Sequence, residues 1–226
     1  MTAWRGALLV AGKDLRIEAR SRVGLNQIAP FAVLVLVLFA FALDPDRGVL
    51  TRASAGLFWV AVLLSALLAV QRSHGVESGD GLRDALRLSG LDPAGVFAGK
   101  AAAVAIQLVA LEVLLGAGVV VLYDVDLAGA GTLAATCVLA TIGLASAGTL
   151  YGVLAAGLRV RETLLPLLLL PVVAPVLIAA TRASEAALLG GTVDVAAADW
   201  LRLLAVFAVV YTAFGVLAYG TLLEDS

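Results

Sequence analysis

The sequence has little charge, a single cysteine and a single histidine, and these scarcities exclude several classes of protein. Charged residues make up 14% of its 226 residues, against about 25% in typical soluble domains. The lone Cys137 cannot form an internal disulfide. Because His74 is the one histidine, the sequence also offers no Cys/His framework for a metal. A net charge of −2 provides no basic surface for a nucleic acid.

What the sequence has instead is long apolar segments. Hydrophobic residues make up 62% of it, and the mean hydropathy is +1.05. About 20 apolar residues in a helix cross the ~30 Å hydrocarbon core of a bilayer. We therefore predict an all-α membrane protein with six transmembrane helices in one polytopic domain, residues 1–226. The predicted spans are about 25–43, 53–70, 101–123, 131–158, 163–180 and 201–223.

The segment before the first span is basic. Lys13, Arg16 and Arg20 recur at three- and four-residue spacing, which predicts an amphipathic helix over about 4–22 that lies in the membrane interface. The alternative is a solvated basic tail. Ala40-Phe41-Ala42 mimics a signal-peptide cleavage site, but five further spans follow it, so we expect the first span to be a retained anchor.

The distribution of Lys and Arg predicts the orientation. With the N-terminus inside, eleven of these residues fall in the N-terminal segment, the 71–100 loop and the 159–162 link, and four fall in the other loops. The positive-inside rule then places both termini in the cytoplasm.

Glu112 is the only acidic residue deep within a predicted span. An ionised group at mid-bilayer costs ~3 kcal/mol on insertion scales, so this side chain must face protein or water. Two interpretations stay open. Glu112 is a polar point in a substrate path or helix interface, or it is a protonated carboxyl group hydrogen-bonded to a neighbouring helix.

The fifth span carries Pro166, Pro171 and Pro175. Each proline removes a backbone donor and clashes with the preceding turn, so we expect this helix to bend or break. Such helices often lie beside the moving parts of transport proteins, although proline kinks are also common in membrane helices of no special function. Gly148 and Gly152 form a small-xxx-small pattern, which suits either packing within one chain or contact between two copies in a homodimer.

The polar loop 71–100 contains a candidate for partner coupling. Residues 82–89 suit a short amphipathic helix that Gly90 ends, and a partner protein could push on such a helix. A solvated connector is the alternative. The candidate coupling residues are Leu82, Arg83, Leu86, Arg87 and Leu88.

Motifs for catalysis are missing. Gly99-Lys100 resembles the end of a phosphate-binding loop, but Ala94 stands where the first glycine belongs and Ala101 where Ser or Thr belongs. His74 could be an exposed ligand to a heme iron, yet no second ligand is suggested. No nucleophile with a base and no metal cluster is evident, so we expect a non-catalytic membrane subunit.

Several stretches together resemble the heme exporter protein B (CcmB) family of cytochrome c maturation, whose architecture is that of an ABC-2-type permease. They occur in the expected order across most of the chain. They are Lys13–Arg22, Phe41–Pro45, Ala55–Ala61, Leu67–Arg72, Val96–Lys100 and Leu165–Pro175.

The resemblance implies a multi-pass permease subunit of the bacterial cytoplasmic (inner) membrane, which supports heme export or delivery for c-type cytochrome biogenesis. ATP would be hydrolysed on a separate subunit similar to CcmA, and CcmC-like and CcmD-like membrane proteins would complete the complex. No cofactor would be bound directly, and heme would be a candidate substrate, with its passage through this subunit left open. Residues 82–89 would dock on the ATPase, and Glu112, Trp59 and the prolines of span five would lie in moving or interface regions. Alternatives are a generic ABC-2-type permease for a drug or lipid, and a membrane scaffold that transports nothing.

Overall fold

The computed structural model describes residues 2–22, 24–43, 47–75, 90–125, 127, 129–156, 161–190 and 195–225. These residues form seven α-helices and a π-helical turn, Gly24–Ile28, and contain no strand. The helices are α1 (Ala3–Ser21), α2 (Ala29–Ala42), α3 (Arg47–Gly75), α4 (Pro93–Tyr123), α5 (Ala130–Ala156), α6 (Arg161–Gly190) and α7 (Val195–Asp225).

Helices α3 to α7 are each long and apolar enough to cross a membrane. The first predicted span differs from them. Residues 26–42 meet the same criteria of length and hydropathy only when they are taken together with α1, and this pair of helices is bent by 55°. Helix α1 ends where Arg22 takes a left-handed backbone conformation, with φ of 54°, and Pro30 stands in the first turn of α2. The all-α membrane class is confirmed, with five spanning helices among the described residues and a sixth if the bent pair counts as one span.

The helices extend into two segments that the sequence pattern assigns to loops. Helix α3 continues to Gly75, and α4 begins at Pro93, where the Asp92 side chain accepts a hydrogen bond of 2.9 Å from the Ala94 N–H. This N-cap and the proline after it are sufficient to start a helix well before the apolar run. Helix α6 likewise continues through the first half of the predicted 181–200 loop.

The three prolines do not break α6. Pro166, Pro171 and Pro175 all lie inside one helix of 30 residues, which corrects the expectation of a break. Pro171 and Pro175 are exposed, on the side away from the bundle. The opposite side carries an apolar stripe at three- and four-residue spacing that is buried against neighbouring helices. Its members include Leu165, Leu169, Val173, Val176, Ala180 and Ala183.

Glycines let pairs of helices pack with their backbones close together. A Cβ atom added to Gly95 would lie 2.5 Å from the Ala3 carbonyl oxygen, and one added to Gly99 would lie 2.6 Å from the Ala7 carbonyl oxygen. Small residues permit this kind of approach between membrane helices. Helix α1 is therefore seated directly on the first two turns of α4.

The small-xxx-small pattern of α5 serves packing within the chain. A Cβ atom added to Gly148 would lie 2.6 Å from the Val70 side chain, and one added to Gly152 would overlap the His74 ring. Both glycines thus face α3. Of the two uses open to this pattern, contact with the chain's own α3 is the one the structure contains.

Candidate functional site

Two groups of polar side chains lie at opposite parts of the bundle. The first, called the charged end below, consists of Asp14 and Glu18 on α1, Arg72 on α3 and Lys100 on α4. The second surrounds Glu112, nearer the other end of α4. The charged end adjoins the segment between α3 and α4.

Lys100 and Asp14 form the deeper ion pair of the charged end. Lys100 has an exposed side-chain fraction of 0%, and its Nζ lies 3.6 Å from Asp14 Oδ2. The other carboxylate oxygen of Asp14 lies 3.0 Å from Lys13 Nζ. A buried charge in a helix bundle needs a charged partner, and α1 supplies that partner to α4.

Glu18 and Arg72 form the second ion pair, between α1 and the end of α3. Arg72 Nε donates to Glu18 Oε2 at 2.9 Å. Asp14 and Glu18 are four residues apart, so they lie on the same face of α1. That single face is ion-paired to the last turn of α3 through Arg72 and to α4 through Lys100.

In the sequence, the predicted coupling residues come between Arg72 and Lys100. Leu82, Arg83, Leu86, Arg87 and Leu88 fall outside the described residues, so their placement stays a prediction. The helices on either side of them end at Gly75 and begin again at Pro93. Both of those helices are held by α1.

His74 is not the exposed loop residue that the sequence analysis considers. It lies in the last turn of α3 and is buried, with Nδ1 3.1 Å from the Val70 carbonyl oxygen. Its ring packs against Gly152 of α5. Since α3 extends through residues 71–75, the side chain at 74 points into the bundle, which corrects the idea of an exposed heme ligand.

Glu112 is buried and links α4 to α5. Its Oε1 accepts a hydrogen bond of 2.5 Å from Thr141 Oγ1, and Cys137 lines the same cavity as this carboxyl group. The geometry matches the interhelical hydrogen bond that was one of the two interpretations. The same geometry also places the Glu112 carboxyl group at the wall of a cavity.

That cavity has a volume of about 130 Å³. Trp59 reaches it indirectly, because its indole N–H donates at 3.0 Å to Ser184 Oγ, which lines the cavity. The structure thus brings Glu112 and the partner of Trp59 together, whereas the three prolines are not among the lining residues. The lining comes from four helices and the α4–α5 connection and includes Ser54, Phe58, Glu112, Val119, Cys137 and Ser184.

The size of the cavity limits what it holds. A cavity of ~150 Å³ accepts one benzene molecule, so about 130 Å³ is too small for a four-ring tetrapyrrole. Among the described residues, no group of three or more His, Cys, Asp or Glu is placed to hold a metal ion.

Six members of these sites were not predicted as site residues from the sequence, namely Asp14, Glu18, Arg72, Lys100, Thr141 and Ser184. Asp14 and Glu18 did give a signal, since they are the two acids of an otherwise basic helix at four-residue spacing. Nothing in the sequence pattern marks Thr141 or Ser184, because serine and threonine are ordinary residues of membrane helices.

Apolar helices long enough to cross a bilayer, with a bent N-terminal pair and buried polar links between helices, define this chain as a polytopic all-α membrane protein. Residues 5–226 match the model of the CcmB protein family. The chain belongs to that family.

The chain is similar in sequence to curated proteins over most of their length. The chain is 34% identical to heme exporter protein B of Paracoccus denitrificans, over 76% of this chain and 78% of that protein. It is 31% identical to heme exporter protein B of Haemophilus influenzae, over 80% and 81% of the two chains. With the Bradyrhizobium diazoefficiens protein of the same name it shares 30% identity, over 79% and 80%.

Proposed function

We propose that the chain is the membrane permease subunit of an ABC-type complex that supports heme delivery for c-type cytochrome biogenesis. The observation that carries this proposal is the family match over residues 5–226, together with relatives that are named heme exporters. The chain itself would hydrolyse nothing. A separate subunit similar to CcmA would bind ATP, and CcmC-like and CcmD-like proteins would complete the complex.

The ATPase would act on the segment that contains residues 82–88. Two features support this. The positive-inside rule places the charged end and both termini in the cytoplasm, where an ATP-binding subunit is found. The ion pairs of the charged end also tie α1 to the helices on both sides of the segment, so a push there would be passed to α1.

We further propose that this subunit performs conformational work on the complex and does not enclose heme within its own bundle. The cavity beside Glu112 is smaller than a tetrapyrrole. Glu112 links α4 to α5 through Thr141, and Trp59 links α3 to α6 through Ser184, so their role would be to hold each pair of helices in register. ATP binding would then shift the population of permease conformations through the coupling segment.

Gentle solubilisation tests the proposal. A tagged copy should bring down an ATP-binding subunit and further membrane subunits, and deletion of the gene should abolish heme-stained c-type cytochromes. The variant Leu86→Asp should lose both the ATPase and the cytochromes, whereas the control Leu86→Met should keep both. Normal cytochromes in the deletion strain would favour a drug or lipid permease, and membrane partners without an ATPase would favour a scaffold.

A further inference from the structure

Helix α1 separates its charges between two faces. The acids Asp14 and Glu18 have side-chain exposures of 12% and 17% and pair with cations of α4 and α3. The cations Lys13, Arg16 and Arg20 are exposed, although Lys13 also contacts Asp14. The inward face is therefore acidic and neutralised by the bundle, and the outward face is basic.

The outward face contains a shallow, open groove formed between side chains of α1 alone. Its lining mixes apolar and cationic side chains, namely Leu8, Leu9, Ile17, Lys13, Arg16 and Arg20. No acid is among the described residues that line it, because Asp14 and Glu18 are turned the other way. Such a lining is complementary to an anionic amphiphile.

We propose that this groove binds the headgroup of an anionic phospholipid. Arg16 and Arg20 bind the phosphate diester, for which the planar guanidinium group is well suited, and Leu8, Leu9 and Ile17 contact the first acyl carbons. Trp4, 74% exposed at the start of α1, lies at headgroup level, where tryptophan is enriched.

A phospholipid fits these observations better than an acidic segment of a partner protein. The groove belongs to a membrane protein and is part apolar, and anionic lipids of the cytoplasmic leaflet attract basic helices without any additional subunit. The inference depends on α1 lying at the membrane and not on the proposed role in heme delivery, so either can fail alone.

Native mass spectrometry of the purified full chain, after equilibration with equal amounts of phosphatidylglycerol and phosphatidylcholine, measures the lipid preference. Each basic residue near an anionic surface strengthens binding about fivefold. The double variant Arg16→Gln/Arg20→Gln should therefore lower the preference for phosphatidylglycerol roughly 30-fold. The matched control Arg182→Gln/Arg202→Gln removes two exposed arginines outside the groove and should leave the preference unchanged.

Four results would overturn the proposal. The first is equal retention of the two lipids by the unaltered chain, and the second is an unchanged preference in the Arg16/Arg20 variant with its helix content intact by circular dichroism. The third is displacement of phosphatidylglycerol by inorganic phosphate, which would show a site for free anions. The last is loss of ATPase co-purification in that variant while the lipid preference persists, which would assign the groove to a protein partner.

Discussion

The ion pair between Lys100 and Asp14 gives the sharpest quantitative prediction. At 3.6 Å and an effective dielectric constant of ~20, two unit charges attract each other by about 5 kcal/mol. Removing one partner of a buried pair costs ~3–5 kcal/mol, because the other charge is left without compensation. Removing both partners is often close to neutral.

The surroundings of the pair predict that its two single variants differ. Asp14→Asn removes the carboxylate that faces the fully buried Lys100 ammonium, so we expect the larger of the two losses in the free energy of unfolding, ~3 kcal/mol. Lys100→Met leaves Asp14 with Lys13 at 3.0 Å and with partial access to solvent. We expect that loss to be smaller, ~1–3 kcal/mol.

The assay is SDS-induced unfolding in mixed micelles, followed by circular dichroism, for both single variants and the double variant Asp14→Asn/Lys100→Met. We expect the double variant to recover to within ~1 kcal/mol of the unaltered chain. Strictly additive losses in the double variant would refute the ion pair. An Asp14→Asn variant as stable as the unaltered chain would refute the claim that Lys100 needs this carboxylate.

Three further predictions concern helix contacts. Gly99→Ala should destabilise the chain by ~1–3 kcal/mol and detach α1 in cross-linking experiments, because its Cβ atom would lie 2.6 Å from the α1 backbone. The control Gly12→Ala should do neither, because nothing lies within 4 Å of its added Cβ atom. Glu112→Gln keeps an acceptor for the hydrogen bond from Thr141 and should retain its stability in the same unfolding assay. Glu112→Leu should lower the free energy of unfolding by ~1–3 kcal/mol. Equal losses in the two variants would contradict the hydrogen-bond role. Trp59→Phe removes the donor to Ser184 and should cost about 1 kcal/mol or more. The hydrogen-bond role would be contradicted if the difference in stability between Trp and Phe were unchanged in the Ser184→Ala background.

The number and type of the helices could be predicted because membrane insertion depends on length and mean hydropathy, both of which are local properties of the sequence. Helix ends could not be predicted as well. The residues 71–75 are polar or small, yet they continue α3, since His74 packs on Gly152 and Arg72 pairs with Glu18. Such contacts join residues far apart in the chain.

The same limit applies to the sites. A lone Glu112 within an apolar segment was visible as an anomaly, but Thr141, which satisfies it, comes 29 residues later on another helix. The Trp59–Ser184 bond spans 125 residues. Sequence composition shows that a polar side chain must have a partner, whereas only the packing of the helices shows which residue that partner is.

The arrangement of α1 bears on how a push at the segment 76–89 would travel. Because α1 holds α3 through Arg72 and α4 through Lys100, these two helices can separate at the charged end only if one ion pair breaks and α1 moves with the other helix. The close glycine contacts favour movement of α1 with α4, since α1 packs directly on the α4 backbone at Gly95 and Gly99. The Arg72–Glu18 pair, by contrast, is partly exposed and costs less to break.

On the proposed function, the coupling movement would therefore open the contact between α1 and α3 and carry α1 together with α4. A short thiol-specific cross-linker that joins cysteines introduced at positions 18 and 72 should then block cytochrome maturation, while the same cross-linker between positions 14 and 100 should permit it. The reverse outcome would assign the moving contact to α4.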